Sequence, residues 1–274
     1  MTRLHAVRPD AAAAQSTCLE DSKPRILQWC MSSPEAPVES PAADDAAQAA
    51  HALAWLHGAR FLRTASRLDE LPLHERPDIA FVGRSNAGKS TAINTLAQQR
   101  RLAFASRTPG RTQHINLFEV GPRGAPDALL ADLPGYGYAA VERAAKLRWQ
   151  QVMARYLAER RSLSGVVLMV DSRLGFTDLD QQLLQLIAQR VTTGQVRLLV
   201  LLTKADKLNR REGADALAQA QDRLAELAGE HADIGVALFS ALKRQGVDDA
   251  ATCLHQWTRP THPPQPTPPI PPAA

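Results

Sequence analysis

Eight consecutive residues, Gly83, Arg84, Ser85, Asn86, Ala87, Gly88, Lys89 and Ser90, fit the pattern G-x-x-x-x-G-K-[ST] and stand between an apolar, strand-like run and a segment of helical period. A loop of this kind can wrap backbone N–H groups around phosphate oxygens, because its glycines admit the turn and the helix that follows presents its positive end. Lys89 would then reach the terminal phosphate oxygens, and the Ser90 hydroxyl would be placed to hold Mg²⁺. The bland alternative is an accidental glycine-rich turn, which the strand-to-helix context disfavours.

A phosphate loop names neither base nor reaction, so the later segments carry the argument. Asp132, Leu133, Pro134 and Gly135 place a carboxylate at the end of a short apolar strand, where it could hold a water on Mg²⁺, and offer the Gly135 N–H to a terminal phosphate. On its own D-x-x-G is a common turn. Thr203, Lys204, Ala205 and Asp206 end another apolar run, and an ionised carboxylate there can accept from both N1–H and N2–H of guanine while Lys204 lies over the ring. Adenine lacks that pair of donors. Ser240, Ala241 and Leu242, after the last apolar run, could turn backbone N–H groups toward the guanine oxygen. Between residues 106 and 114 the chain is polar and punctuated by Pro109 and Gly110, as a switch loop would be. Thr112 directly precedes a strand-like run and is the choice for a second hydroxyl on Mg²⁺, with Thr108 in reserve.

The elements that must position these groups alternate short apolar runs with longer helical-period segments, which is the pattern of an α/β fold with a mainly parallel sheet. Six strands are expected, at 78–82, 114–121, 128–132, 165–171, 196–203 and 235–240, with the second and third paired as a hairpin. Helices are expected at 89–98, 143–161, 178–193, 214–228 and 247–257, lying on both faces of the sheet. Residues 51–67 read as an amphipathic lead-in whose Leu53, Leu56 and Phe61 cover a sheet edge. Composition divides the chain into a leader at 1–50, one globular domain at 51–258 and a tail at 259–274. The leader and the proline-rich tail are too poor in large apolar side chains to pack a core, and both are expected to be disordered.

The chain has 274 residues and a formal charge of +4. The leader holds seven acidic and four basic side chains, so the positive excess lies on the rest and favours an anionic partner. Arg100, Arg101, Arg107, Arg111 and Arg123 gather in one segment, and Arg143, Lys146, Arg148, Arg155, Arg160 and Arg161 in a second. Both adjoin the predicted switch segments in sequence, which makes an RNA-phosphate footprint the economical reading of the two together, although for any single arginine a solvated helix face is the better one. Three cysteines, Cys18, Cys30 and Cys253, cannot build a disulfide framework and suit a reducing cytoplasm. No apolar run approaches the ~18 residues of a membrane-spanning helix, and no hydrophobic stretch follows Arg3 and Arg8 as in a signal peptide.

With these segments assembled, the chain resembles the EngB/YsxC (YihA) family of bacterial GTPases, in the TrmE-Era-EngA-EngB-Septin-like class. The resemblance runs from about Phe61 to Trp257 and rests on G-R-S-N-A-G-K-S, T-P-G-R-T-Q-H-I-N, D-L-P-G-Y-G-Y-A, T-K-A-D-K and F-S-A-L. It implies a Ras-like P-loop domain, Mg²⁺-dependent hydrolysis of GTP to GDP, a role in assembling the large ribosomal subunit, and a requirement in cell division and septation. The nucleotide contacts it implies are Gly83 to Ser90, Gly110, Arg111, Thr112, Gln113, His114, Asp132 to Gly135, Thr203 to Asp206, Phe239, Ser240 and Ala241. Ser90 and Thr112 would hold the metal, and Lys89, Thr112 and Gly135 would serve the reaction.

One position departs from Ras-type proteins, where a glutamine after the D-x-x-G glycine orients the attacking water. Tyr136 stands there, so hydrolysis by this chain alone is expected to be slow and to need charge or positioning from elsewhere. Asn86 resembles the asparagine that coordinates K⁺ in cation-activated relatives; a local hydrogen bond within its own loop explains it equally well. The expected partners are GTP and GDP and a precursor of the large subunit, comprising rRNA and ribosomal protein, with no membrane, and the free protein is expected to be a monomer. A self-assembling septum-associated division GTPase is the second reading, and sedimentation with GTP separates the two.

Overall fold

The computed structural model describes residues 26–28, 42–103, 114–137 and 143–258. Among them, eight strands form one sheet: β1 (Ile26–Gln28), β2 (Arg60–Ala65), β3 (Asp78–Gly83), β4 (Ile115–Val120), β5 (Ala128–Asp132), β6 (Leu163–Asp171), β7 (Arg197–Thr203) and β8 (Ile234–Phe239). Their order is β1-β8-β7-β6-β3-β5-β4-β2. The pairs β3–β5, β3–β6, β6–β7 and β7–β8 are parallel, whereas β4 runs antiparallel to both β5 and β2. The continuous apolar runs of β3 and β7 follow from this arrangement, since a central parallel strand is covered on both faces.

Among the described residues six α-helices flank the sheet: α1 (Ala42–His57), α2 (Lys89–Leu96), α3 (Arg143–Glu159), α4 (Asp178–Thr192), α5 (Arg210–Leu224) and α6 (Val247–Gln256). Side chains alternate across β3, so Ile79 and Phe81 pack with Leu56, Ile93 and Leu254 of α1, α2 and α6. Ala80 and Val82 face the other way, toward Tyr156, Ile187 and Leu224 of α3, α4 and α5.

Three expectations change. The sheet has eight strands rather than six, because β2 extends it along β4 and β1 pairs with β8. The lead-in is not one amphipathic segment: α1 already begins at Ala42, inside the segment read as leader, and the break at Gly58 turns the chain into an edge strand. Leu56 is fully buried on the sheet face with α2 and α6, while Phe61 stays 57 % exposed on β2 and leans on Phe118 at 6.1 Å between ring centroids. Finally, α5 starts at Arg210 rather than 214. Asn209 caps it, accepting from Glu212 N at 3.0 Å while its own N–H donates to Glu212 Oε2 at 2.8 Å. That N-x-x-E capping box was legible, but Gly213 in the first turn masks it to a reading of helix period.

One basic side chain is diverted into the fold. Arg160 Nε donates to Asp78 Oδ2 at 2.7 Å, joined there by the Tyr156 and Ser162 hydroxyls at 3.1 and 2.9 Å. Asp78 is fully buried, so Arg160 neutralises an interior carboxylate and is not available to RNA. Arg155 pairs with Glu159 one helical turn away at 3.2 Å.

Candidate functional site

The order of the sheet reverses at β3, whose neighbours β5 and β6 leave on opposite sides, and a crevice at the C-terminal edge of the strands follows from that topology. The phosphate loop leaves β3 there. Gly88 caps α2 with φ +97°, a left-handed conformation that a side chain would disfavour, and the loop enters the helix directly at Lys89. Lys89 is buried, with Nζ 3.9 Å from Asp132 Oδ1. The Ser90 hydroxyl donates to Asp132 Oδ2 at 3.3 Å. The Asp132 carboxyl is fully buried; burial pushes it above the usual carboxylate range, against the opposing pull of Lys89 and Ser90. Its Oδ1 has no hydrogen-bond partner among the described residues. A buried carboxylate oxygen facing a hydroxyl and an ammonium fits a hydrated Mg²⁺, which keeps several waters and takes few protein ligands.

Gly135 lies against the phosphate loop so closely that a Cβ there would sit 3.0 Å from Ser85 N and Cα. The two segments are joined by Ser85 N–H donating to Tyr136 O at 2.8 Å. Leu133 is fully buried in the core, so only its backbone can face the crevice. Tyr136 also turns inward. Its hydroxyl donates to Asp180 Oδ1 at 2.5 Å, and Asp180 Oδ2 in turn accepts from Thr177 N and Oγ1 at 2.7 and 2.6 Å, capping α4. Burial, reinforced by that carboxylate, holds the phenol protonated far above its usual range. The tyrosine thus fastens the D-x-x-G turn to α4, its hydroxyl turned into the fold.

At the other end, Thr203 pins the loop to the sheet: its hydroxyl lies 2.8 Å from Ala87 O and 3.1 Å from Val170 O. Lys204 Nζ donates to Asn86 O at 3.0 Å and to Asp171 Oδ2 at 2.7 Å. Ala205 is buried, and Asp206 accepts from the Ser240 hydroxyl at 2.7 Å, a bond that keeps the Asp206 carboxyl below its ordinary range and therefore ionised. Ser240 does not supply the amide expected of it, because its N–H donates to Gln245 O at 3.0 Å. That leaves the Ala241 and Leu242 N–H groups, directly beyond it, as the amides able to meet a guanine oxygen; Phe239 is a core side chain.

His114 is exposed and its Nδ1 lies 2.9 Å from Ser66 Oγ, which ties the start of β4 to the end of β2. The Asn86 side chain makes no hydrogen bond to its own loop among the described residues, and its φ of +64° is a conformation asparagine tolerates. Gly110, Arg111, Thr112 and Gln113, with the reserve Thr108, lie outside the described residues, as do Arg107 and the side chains of Arg143, Lys146 and Arg148. Asp171 and Asp180 are the two site residues that sequence reasoning missed. Asp171 carries no motif signal beyond ending an apolar strand, whereas the T-x-x-D box at Thr177 and Asp180 could have flagged the second.

A strand-to-helix phosphate loop at the reversal of a Ras-like sheet, with an acidic turn beside it and a second acidic loop at its far end, defines a P-loop GTPase. A family model described as "50S ribosome-binding GTPase" matches residues 78–204. A probable GTP-binding protein EngB of Acidovorax ebreus is 61 % identical over 208 residues, spanning 76 % of this chain and 92 % of the relative. Its counterpart in Albidiferax ferrireducens is 58 % identical over 209 residues, spanning 76 % and 97 %. The chain belongs to the EngB family of GTP-binding proteins. Among solved structures, a probable GTP-binding protein engB superposes with a TM-score of 0.50 at 19 % identity, covering 66 % of this chain and 98 % of that one. Era in complex with MgGDPNP and a segment of 16S ribosomal RNA gives 0.55 at 19 % identity, covering 71 % and 60 %. At that identity both likenesses concern the fold.

Proposed function

We propose that this GTPase acts in the cytoplasm as a switch in assembly of the large ribosomal subunit, on which normal division and septation depend. The observation that carries the nucleotide part is the ionised Asp206, held by Ser240 and linked through Lys204 to the phosphate loop at Asn86. One ligand with a guanine at one end and phosphates at the other would meet both. The Gly83–Ser90 loop, through amides other than those of Ser85 and Ala87, which are bonded to Tyr136 O and Arg84 O, would take the phosphates with Lys89, Ser90 and Thr112 would hold Mg²⁺, Asp132 would order its water, and the Gly135 N–H would meet the terminal phosphate. Bound there, the metal would offset the negative charge on the phosphates during transfer. Because Tyr136 is turned into the fold, nothing at that position orients the attacking water, and turnover is slow until charge or positioning is supplied. The Asn86 side-chain amide, which has no hydrogen bond among the described residues, supports K⁺ as one source; the ribosomal particle is the other.

The ribosomal part is supported by the family itself and by the exposed side chains of Arg100 and Arg101, which precede the first switch segment in sequence; Arg123 is exposed too but lies in the turn between β4 and β5, at the opposite end of those strands from Asp132 and the phosphate loop. Only a terminal phosphate can hold Gly135 and the Thr112 segment together, so GTP would order the loops that carry Arg107 and Arg111. The test is pelleting with purified large subunits in GDP and in a non-hydrolysable GTP analogue across a salt series. Tighter association in the analogue, falling with salt, is expected. Equal association in both nucleotides, flat with salt, refutes the switch on RNA, and GTP-driven growth into large particles without ribosomes favours the self-assembling reading.

A further inference from the structure

Asp171, the last residue of β6, lies outside every motif, yet its carboxylate is almost entirely enclosed and used on both oxygens. Arg173 grips it as a fork, Nε to Oδ1 at 2.9 Å and a terminal guanidinium nitrogen to Oδ2 at 2.8 Å, while the Arg173 N–H reaches Oδ1 at 3.2 Å. Its backbone carbonyl accepts from Leu174 N–H and Gly175 N–H at 2.9 and 3.1 Å, so the turn that follows is fixed by the same residue. Although burial pulls the other way, the hydrogen bonds from Arg173 and Lys204 hold the Asp171 carboxyl far below the usual carboxylate range.

What this fixed anion grips is Lys204. Asp171 is paired with Thr203 in the β6–β7 register, so the next residue along β7 emerges beside it. Lys204 takes a left-handed backbone, φ +59° and ψ +30°, which lysine rarely adopts and which folds its side chain back across the phosphate loop. The ammonium is then held at two points, Asp171 Oδ2 at 2.7 Å and Asn86 O at 3.0 Å. A lysine stem is otherwise among the most mobile of side chains, and ordering it on binding would weaken the ligand.

We propose that Asp171 is a positioning residue for guanine recognition: it holds the Lys204 ammonium against Asn86 O, so that the lysine stem is already laid out as the surface on which the purine ring rests. This rests on the reading of the crevice as a guanine-nucleotide site with Lys204 over the ring. Two consequences distinguish it from a salt bridge that only steadies the fold. The contact is with the ring and not with the 2-amino group, so loss of Asp171 weakens GDP and IDP by the same factor, whereas loss of Asp206 acts on the difference between them. The effect also passes through Lys204, so Asp171 matters only while the ammonium is present.

The experiment is calorimetric titration of the full-length protein with GDP, IDP and ADP, for the unaltered chain, Asp171→Asn, Lys204→Met and the double variant. Asp171→Asn should weaken GDP and IDP alike by about tenfold, the scale of one charge-assisted hydrogen bond at a partly exposed site. The double variant should bind within about twofold of Lys204→Met alone, the mark of two groups acting as one. Arg173→Met, which loosens the carboxylate without removing it, should show the same pattern in smaller measure and serves if Asp171→Asn does not fold. Guanine selectivity retained together with losses that multiply in the double variant, or GDP affinity of Asp171→Asn within twofold of the unaltered chain, overturns the proposal alone. Equal affinity of the unaltered protein for GDP and ADP overturns the guanine reading and the proposal with it.

Discussion

Replacing Tyr136 with phenylalanine separates the two roles open to the residue after the D-x-x-G glycine. The hydroxyl lies between a tyrosine 7 % exposed and an aspartate 2 % exposed, and it donates to Asp180 Oδ1. Removing a donor from a buried carboxylate costs about 1.5–3 kcal/mol. Asp180 keeps Thr177 N and Oγ1 on its other oxygen, so the α4 cap persists and the loss should fall near ~2 kcal/mol. For a domain of this size that lowers Tm by about 4–8 °C. Turnover should change by less than about twofold, because the backbone groups that face the crevice, Gly135 N–H and the Tyr136 carbonyl bonded to Ser85, do not depend on the phenol. The assays are thermal unfolding of the nucleotide-free protein and steady-state GTP hydrolysis at saturating GTP. A Tm that stays put with turnover reduced tenfold or more would show that the phenol takes part in hydrolysis, against the inward orientation.

Three further outcomes are expected. Burial lowers the pKa of both His57 and His74, with Arg244 adding to the effect at His57, while at His74 burial outweighs the raising pull of Asp78. The unfolded chain therefore takes up protons first as pH falls below about 6.5, and stability measured by urea unfolding should decline from pH 7 toward pH 5, a slope that His74→Gln makes shallower. Arg160→Met leaves the buried Asp78 carboxylate without its guanidinium partner, with two hydroxyls and the His74 ring 3.3 Å away remaining, and should destabilise the fold by about 3–5 kcal/mol in the same assay, whereas Arg101→Ala should leave stability within ~0.5 kcal/mol while reducing particle association. Burial pushes the Cys253 thiol up to about 12, so in a Cys18→Ser, Cys30→Ser protein the half-buried remaining thiol should react with an aromatic disulfide at pH 8 far more slowly than after unfolding.

The comparison of sequence with structure turns on how far apart the interacting residues lie. The phosphate loop, the acidic turn after β5 and the start of α2 are short-range features: glycine positions, a strand-like run before them and a helical period after them fix the local path, and all were legible residue by residue. The central strands were legible for the same reason, since burial on both faces writes an unbroken apolar run into the chain. The ends of the sheet were not. Whether residues 60–65 cover an edge or become one depends on finding β4 as a partner, and nothing in an alternating segment specifies that.

Side-chain roles divide the same way. That residue 136 is not glutamine is a statement about sequence; that its phenol leaves the crevice for Asp180, 44 positions onward, is a product of how α4 docks on the sheet. Arg160 looks like its basic neighbours until β3 brings Asp78 beneath it, 82 positions away. Thr203 reaches Ala87 across 116 positions, and Lys204 finds Asp171 because β6 and β7 are in register there. Motif spacing selected the groups that can do the chemistry, because each group's type and immediate backbone decide what it can donate or accept. Packing decided which of them face the crevice, since a buried ion or hydroxyl goes to whichever partner the assembled sheet sets within hydrogen-bonding distance, and that partner lies far away in the chain.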